Sequence, residues 1–348
     1  MPSREFTKAV ADYLRRAAAA DKVELAVVQR LPGDTAREHW LLRADLAGGP
    51  YAGRHHLVLR GEAEDGNSHL GSAQEMAIRS AVFQAGLTTP EPLWVEPTGE
   101  VIGRPFLILR HAGGEADPAK IQADLTEEQG DRLAFRLGQE LARLHRITMD
   151  RAPAGLDFLP RRGADWIAQR VGIARGVLDS AAESGAGPQP CLEWALNWLA
   201  DHAPEIDTPV LSHRDFRSGK FVVDGDNLVA ILDLEQVGWG DPMEDLGSFC
   251  ARCWRHGLPA REAGGIGSRE ALYDGYREAS GQAVDDRRVR FWEIAAAFRS
   301  GLTALQARSR PAETPEQGLR NLLAGLRKDE AEYDVLLDIE RYEAEGAQ

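Results

Sequence analysis

From Gly113 onward the chain reads as one helix after another, with a single interruption that any fold must accommodate. The runs at 210–211, 221–223 and 228–232 are short and apolar, and the last two flank Asp224-Gly225-Asp226-Asn227. Asp, Gly and Asn tolerate the left-handed backbone of a tight turn, so these two runs close into a hairpin. Around it, helices are expected over 126–145, 166–182, 191–202, 243–254, 268–279, 285–308 and 315–345, separated by breaks rich in Pro and Gly. The first opens on a capping box, Thr126 with Gln129, and places Leu133, Leu137, Leu141 and Leu144 on one face. A hairpin isolated among helices brings the residues before its first strand up against those after its second.

The preceding stretch has the opposite character. Phe6, Val10, Tyr13, Leu14 and Ala17 follow helical spacing, after which three alternating runs centre on Val23–Val27, Trp40–Leu46 and Leu57–Leu59. Leu31-Pro32-Gly33-Asp34-Thr35 and Gly48-Gly49-Pro50 supply the turns between them. A helix fits 72–85, stopped by Gly86, and strands at 93–95 and 105–109 bracket Pro97-Thr98-Gly99. The fold class is therefore α+β: a small antiparallel-sheet lobe with an embedded helix over 1–112, and a larger, mostly helical lobe over 113–348. A length of 348 residues suits this division, at about 150 residues per domain. A cleft between two lobes is where a ligand is expected to sit.

Charge and composition narrow the partners. Lys and Arg total 41 against 55 Asp and Glu, a net charge of −14, which disfavours nucleic acid and anionic membranes as partners. No run approaches the about 18 apolar residues of a membrane span, and Arg4, Lys8, Asp12, Arg15 and Arg16 break up any signal-peptide core, so a cytoplasmic location is expected. Cys191, Cys250 and Cys253 are too few for a disulfide framework. Cys250 and Cys253 have C-x-x-C spacing but no second ligand pair, and flanking Phe249 and Trp254 place them in a core helix. The acidic C-terminal helix reads as a solvated face.

The chemistry concentrates at the hairpin. Ser212-His213-Arg214-Asp215 precedes it, Asp233-Leu234-Glu235 follows it, and Gly240-Asp241-Pro242-Met243-Glu244-Asp245 comes next. The hairpin should place Asp215 and Asp233 side by side. Two carboxylates facing a cleft serve as an acid/base pair, or as a divalent-metal site with a base beside it. Asp241 or Asp245 taken alone would be a cap or turn residue.

His213-x-Asp215, Asp233-x-Glu235 and Gly240-Asp241-Pro242-x-x-Asp245-Leu246 together resemble the aminoglycoside phosphotransferase/choline kinase-like family, which shares the two-lobed protein-kinase fold. Asp215-Phe216-Arg217-x-Gly219 and Leu232-Asp233-Leu234-Glu235 are most similar to the branch found with acyl-CoA dehydrogenases, associated with phosphorylating hydroxyacyl substrates. The resemblance implies ATP and Mg²⁺ as cofactors and a hydroxyl on a small molecule as acceptor. It implies that Asp215 orients or deprotonates that hydroxyl, that His213 supports the loop, and that Arg217 lies near the transferred phosphoryl group. It makes Asp233 the magnesium ligand, with Glu235 adding a direct or water-mediated contact. Arg60 stands where kinases keep a phosphate-binding lysine, with Glu75 as its ion-pair partner. Gly33 fills the phosphate-covering loop, and Leu107-Ile108-Leu109-Arg110 is the connector strand whose backbone would meet adenine. A protein kinase is disfavoured, because nothing between Glu235 and Gly240 leaves room for an activation segment.

Lys220 departs from the pattern. It stands where the family has a metal-binding asparagine, and an ammonium is a donor that cannot coordinate Mg²⁺. Three readings are open: the lysine replaces a metal ion by pairing with phosphate or with Asp215 and Asp233; the protein is an impaired kinase that binds nucleotide or metabolite; or the side chain points to solvent. Acceptor specificity is expected in helices at 155–205 and 245–310, where Arg161, Arg162, Arg287, Arg288 and Arg290 suit an anionic acceptor as well as a cationic one. No sequence signal bears on oligomeric state.

Overall fold

The computed structural model describes residues 3–31, 37–62, 70–161, 163, 166–312 and 314–346. Gly33 of the expected phosphate-covering loop, and Arg162, lie outside the described residues. Helix α1 (Arg4–Ala17) is followed by strands β1 (Lys22–Leu31), β2 (Arg37–Ala47) and β3 (Gly53–Glu62), then α2 (Ser72–Gln84), β4 (Pro92–Glu96) and β5 (Phe106–Arg110). The strands form one antiparallel sheet in the order β1-β2-β3-β5-β4. One face of the sheet buries Leu42, Ala44, Leu57, Leu59, Phe106 and Ile108 against Val10 and Leu14 of α1. That pairing is what the alternation in the strands and the helical period in α1 require.

The helical lobe comprises α3 (Pro118–Asp124), α4 (Glu127–Leu144), α5 (Trp166–Ala181), α6 (Pro190–Asp201), α7 (Pro242–Cys250), α8 (Arg269–Ser280), α9 (Asp286–Ser309), α10 (Pro315–Leu326) and α11 (Lys328–Gly346). Two small ladders are set among them: β6 (Val210–Ser212) with β9 (Gly238–Gly240), and the hairpin of β7 (Phe221–Asp224) with β8 (Asn227–Ile231). One apolar cluster runs through this lobe and takes in Ile78, Val82 and Leu87 from α2 and its C-terminal end. The hairpin is tied to the sheet side: Ile231 N–H donates to Thr88 O at 2.7 Å, and Thr89 Oγ1 donates to Ile231 O at 3.0 Å.

Three expectations need correction. The helix expected over 243–254 stops at Cys250, because the Arg255 guanidinium donates to the Cys250 carbonyl at 3.0 and 2.8 Å and caps the helix there; a 3₁₀ turn (Arg252–Trp254) follows. The single helix expected over 315–345 is two, divided at Arg327, whose side chain reaches back to the Cys253 carbonyl at 3.2 Å. Nor is α11 simply a solvated face: Ala331, Val335, Ile339 and Tyr342 are buried, and buried Asp334 lies 3.5 Å from Arg252. Strand β9 is too short to show any alternation, and α3, opened by Asp117 as N-cap and Pro118, is only two turns long.

Candidate active site

The loop from His213 to Lys220 joins β6 to the hairpin, and α7 holds its start in place. Asp245, in the first turn of α7, accepts the backbone N–H of His213 and of Arg214, both at 2.7 Å. Its Oδ2 also lies 3.0 Å from His145 Nε2, and His145 Nδ1 lies 3.0 Å from the Tyr276 hydroxyl. Burial alone would raise the Asp245 carboxyl, but His145 and His213 together outweigh it and hold the group below its ordinary range. Asp245 is therefore more than the turn residue it could have been in isolation. It pays the strain of Arg214, whose φ of 64° is left-handed for a non-glycine residue. His213 is buried, with Nε2 2.9 Å from the Leu232 carbonyl, which links the loop to the far end of the hairpin.

The hairpin does bring its flanks together. Lys220 Nζ lies 2.7 Å from Asp233 Oδ2 and 3.5 Å from Asp215 Oδ2. Asp215 Oδ1 lies 3.3 Å from both Arg217 Nε and Arg299 Nη2, the latter arriving from α9. Arg217 also stacks on Trp254 with its guanidinium carbon 4.6 Å from the ring centre. Asp233 Oδ1 faces Arg60 Nη1 at 3.7 Å, and Glu235 pairs closely with the same guanidinium. Burial opposes ionisation of Asp233, but Lys220 and then Arg60 more than compensate and hold it well below the usual carboxylate range.

Behind Arg60 lies a wholly buried ion cluster. Glu75 of α2 meets Arg60 Nε at 3.2 Å, Arg37 Nη1 at 2.9 Å and Arg79 Nε at 2.7 Å. Burial would raise the Glu75 carboxyl, yet Arg79, Arg60 and Arg37 together hold it down to about 2. The ion pair between Arg60 and Glu75 expected from sequence is present. Arg37 was not anticipated, and Arg79, four residues beyond Glu75 on the same helix, carried a legible spacing signal.

Two cavities adjoin this constellation. A cavity of about 360 Å³ is lined by Arg60, Arg79, Leu109, His111, Asp215, Lys220, Asp233 and Glu235. A second, of about 480 Å³, lies among α5, α6 and α9; Trp166, Ile167, Leu196, Phe291, Trp292 and Leu302 line it, with Arg170, Arg214, Glu244 and Arg299. Gln236 lines both. Of the residues expected on the nucleotide side, Arg60, Leu109 and Lys220 line the first cavity, Glu75 lies buried behind Arg60, and strand alternation turns the Ile108 side chain into the sheet core. The backbone of β5 is paired along both edges, so the cavity wall passes to His111 and Ala112 instead. Arg299 and Gln236 were also missed; neither sits in a pattern that marks it.

Metal chemistry can be tested on the donor set. Asp233 and Glu235 present carboxylate oxygens to the charged cavity, a donor type that suits one Mg²⁺ ion. A two-ion centre does not fit, because position 220 presents an ammonium, and among the described residues no cluster of three or more His, Cys, Asp or Glu could hold a metal. The cysteines offer no alternative chemistry: burial pushes the Cys250 and Cys253 thiols up to about 12. Among the described residues no helix is long and apolar enough to cross a membrane.

Comparison with known proteins bears on the family and the fold. Acyl-CoA dehydrogenase family member 10 of Mus musculus is 25% identical over 184 residues, covering 51% of this chain and 16% of that protein. Acyl-CoA dehydrogenase family member 11 of Gallus gallus is 29% identical over 178 residues, covering 50% of this chain and 22% of that protein. The chain thus spans about a fifth of the length of these relatives. Among solved structures, a candidate aminoglycoside phosphotransferase from Ralstonia eutropha JMP134 superposes with a TM-score of 0.74 at 17% identity, covering 96% of this chain and 98% of that one. The gentamicin complex of APH(2″)-IIa gives 0.60 at 15% identity, covering 94% and 97%. At such identities the likeness speaks for the fold, an antiparallel-sheet lobe on a helical lobe as in the kinase-like aminoglycoside phosphotransferases. The model of the phosphotransferase enzyme family matches residues 28–292, from β1 through the Asp215 loop and into α9, and the chain belongs to that family.

Proposed function

We propose that the protein transfers the γ-phosphoryl group of ATP to a hydroxyl of a small molecule, with residues 1–112 as the nucleotide-binding lobe and 113–348 carrying the catalytic loop and acceptor site. The observation that carries this reading is the position of Asp215, in the wall of the charged cavity and within 3.3 Å of Arg299, which lines the apolar one. Asp215 orients the acceptor hydroxyl and takes its proton; the hydroxyl oxygen bonds to the γ-phosphorus as the bond to the β–γ bridging oxygen breaks and ADP leaves. Lys220, Arg60 and Arg217 face the charge that develops, and Glu75 fixes Arg60. Asp233 and Glu235 would hold an Mg²⁺ ion carried with the nucleotide, which would supply further charge neutralisation.

For the acceptor, the apolar wall and the guanidiniums of Arg170, Arg214 and Arg299 favour a hydroxyacyl compound with an anionic end. A polycationic aminoglycoside would meet like charge there. The relatives named for acyl-CoA dehydrogenases point the same way. A mass-spectrometric screen with ATP should yield a phosphorylated hydroxyacyl-CoA and no product from gentamicin, choline or sugars. A second reading, a nucleotide binder without turnover, is motivated by Lys220, and it prevails if no acceptor is phosphorylated while ADP still binds. We place the protein in the cytoplasm, where its free cysteines stay reduced; cell fractionation tests this.

A further inference from the structure

We propose that the Lys220 ammonium is a built-in cation that takes the place of a second divalent ion, so that the nucleotide-loaded site holds one metal rather than two. This deepens the reading above and rests on it.

Three observations carry the inference. Asp215 and Asp233 converge from opposite ends of the hairpin on one cavity, the arrangement in which carboxylates share a divalent cation; here Lys220 Nζ stands between them, at 3.5 and 2.7 Å. The ammonium is also held in place. Lys220 N–H donates to Arg217 O at 3.0 Å, its carbonyl accepts from Leu232 N–H at 2.8 Å, and its side chain is only 17% exposed, which excludes the reading in which it points to solvent. Finally, the carboxylates are already outnumbered. Three of them, Asp215, Asp233 and Glu235, face four cations, Arg60, Lys220, Arg217 and Arg299, so once one divalent ion has taken Asp233 and Glu235 a second would meet an ammonium and Asp215 alone, itself paired with Arg217 and Arg299. A polyphosphate instead finds the donor protons of Lys220 and Arg60 facing the cavity.

The test counts metal and measures binding, neither of which needs turnover. With the non-hydrolysable analogue AMP-PNP and excess protein sites filled, electron paramagnetic resonance of free Mn²⁺ should give one bound Mn²⁺ per chain for the wild type and for Lys220→Arg, and two for Lys220→Asn. By calorimetry, ADP affinity of the wild type should weaken by no more than about tenfold in EDTA, whereas Lys220→Asn should lose about 100-fold or more. Two Mn²⁺ per wild-type chain would overturn the proposal, as would equal EDTA sensitivity in wild type and Lys220→Asn. Failure of the wild type to bind AMP-PNP or ADP under any condition refutes the nucleotide-binding reading itself, and this inference with it. Binding without phosphorylation of any acceptor leaves this inference standing and removes only the claim of turnover.

Discussion

Glu75 is a carboxylate fully out of water that stays ionised because three guanidiniums surround it. Replacing one partner of such a cluster leaves buried charge uncompensated, so Glu75→Gln should destabilise the fold by about 3–5 kcal/mol, read as a fall in denaturation midpoint. The same group sets an acid limit. Its carboxyl is held down to about 2 in the folded protein against an ordinary 4.5, so its contribution is complete above pH 4.5 and drains away as pH falls from there toward 2. Asp233, also depressed, acts in the same direction. Denaturation midpoints should therefore drop steeply below pH 4.5 in the wild type and less steeply in Glu75→Gln; parallel profiles would refute the assignment. Asp215→Ala should lower kcat by about 10²–10⁴-fold. It should leave ADP affinity unchanged or tighter, since Lys220 and Arg217 lose an anionic partner; a loss of affinity matching the loss of turnover would contradict a role confined to the acceptor hydroxyl.

Among the elements, α4 and α8 show how closely the helical lobe is packed. A Cβ at Gly275 would lie 1.9 Å from the Phe135 carbonyl oxygen, and one at Gly138 would lie 2.1 Å from that of Leu272. Backbone cannot yield as a side-chain tip can, so Gly275→Ala should destabilise by about 1–3 kcal/mol or more, measured by denaturant unfolding with an unchanged m-value. Strong periodicity made most helices and all five strands of the large sheet legible to within a few residues. The failures have local causes. The break at Arg327 depends on where a guanidinium lands in a distant turn, and the stop at Cys250 on Arg255 folding back over its carbonyl. For the connector strand, period two says that Ile108 and Leu109 face opposite ways, but only the packed sheet decides that Ile108 is the one turned into the core.

For the molecule as a whole, the two lobes are not independent cores. Ile78, Val82 and Leu87, on the sheet side of the chain, belong to the same apolar cluster as Leu137 and Leu141 of α4 and Phe221 of β7. Thr88 adds a polar tie, its N–H donating to Glu140 Oε2 at 2.8 Å. Scanning calorimetry should then show one cooperative transition; two resolved transitions would mean that the sheet side unfolds alone. Some of this was settled by sequence alone. The turn at Asp224–Asn227 forces the hairpin, the hairpin forces Asp215 and Asp233 together, and the identity of residue 220 puts an ammonium within reach of them, because these are local, covalent and short-range constraints. Tertiary structure alone decided what surrounds that centre: Arg299 reaching it from α9, Arg37 of β2 completing the Glu75 cluster behind Arg60, Asp245 pinning the loop from α7, and the apolar cavity among α5, α6 and α9. Those contacts join residues far apart in the chain, and side-chain packing between elements, which no periodicity encodes, determines where they meet.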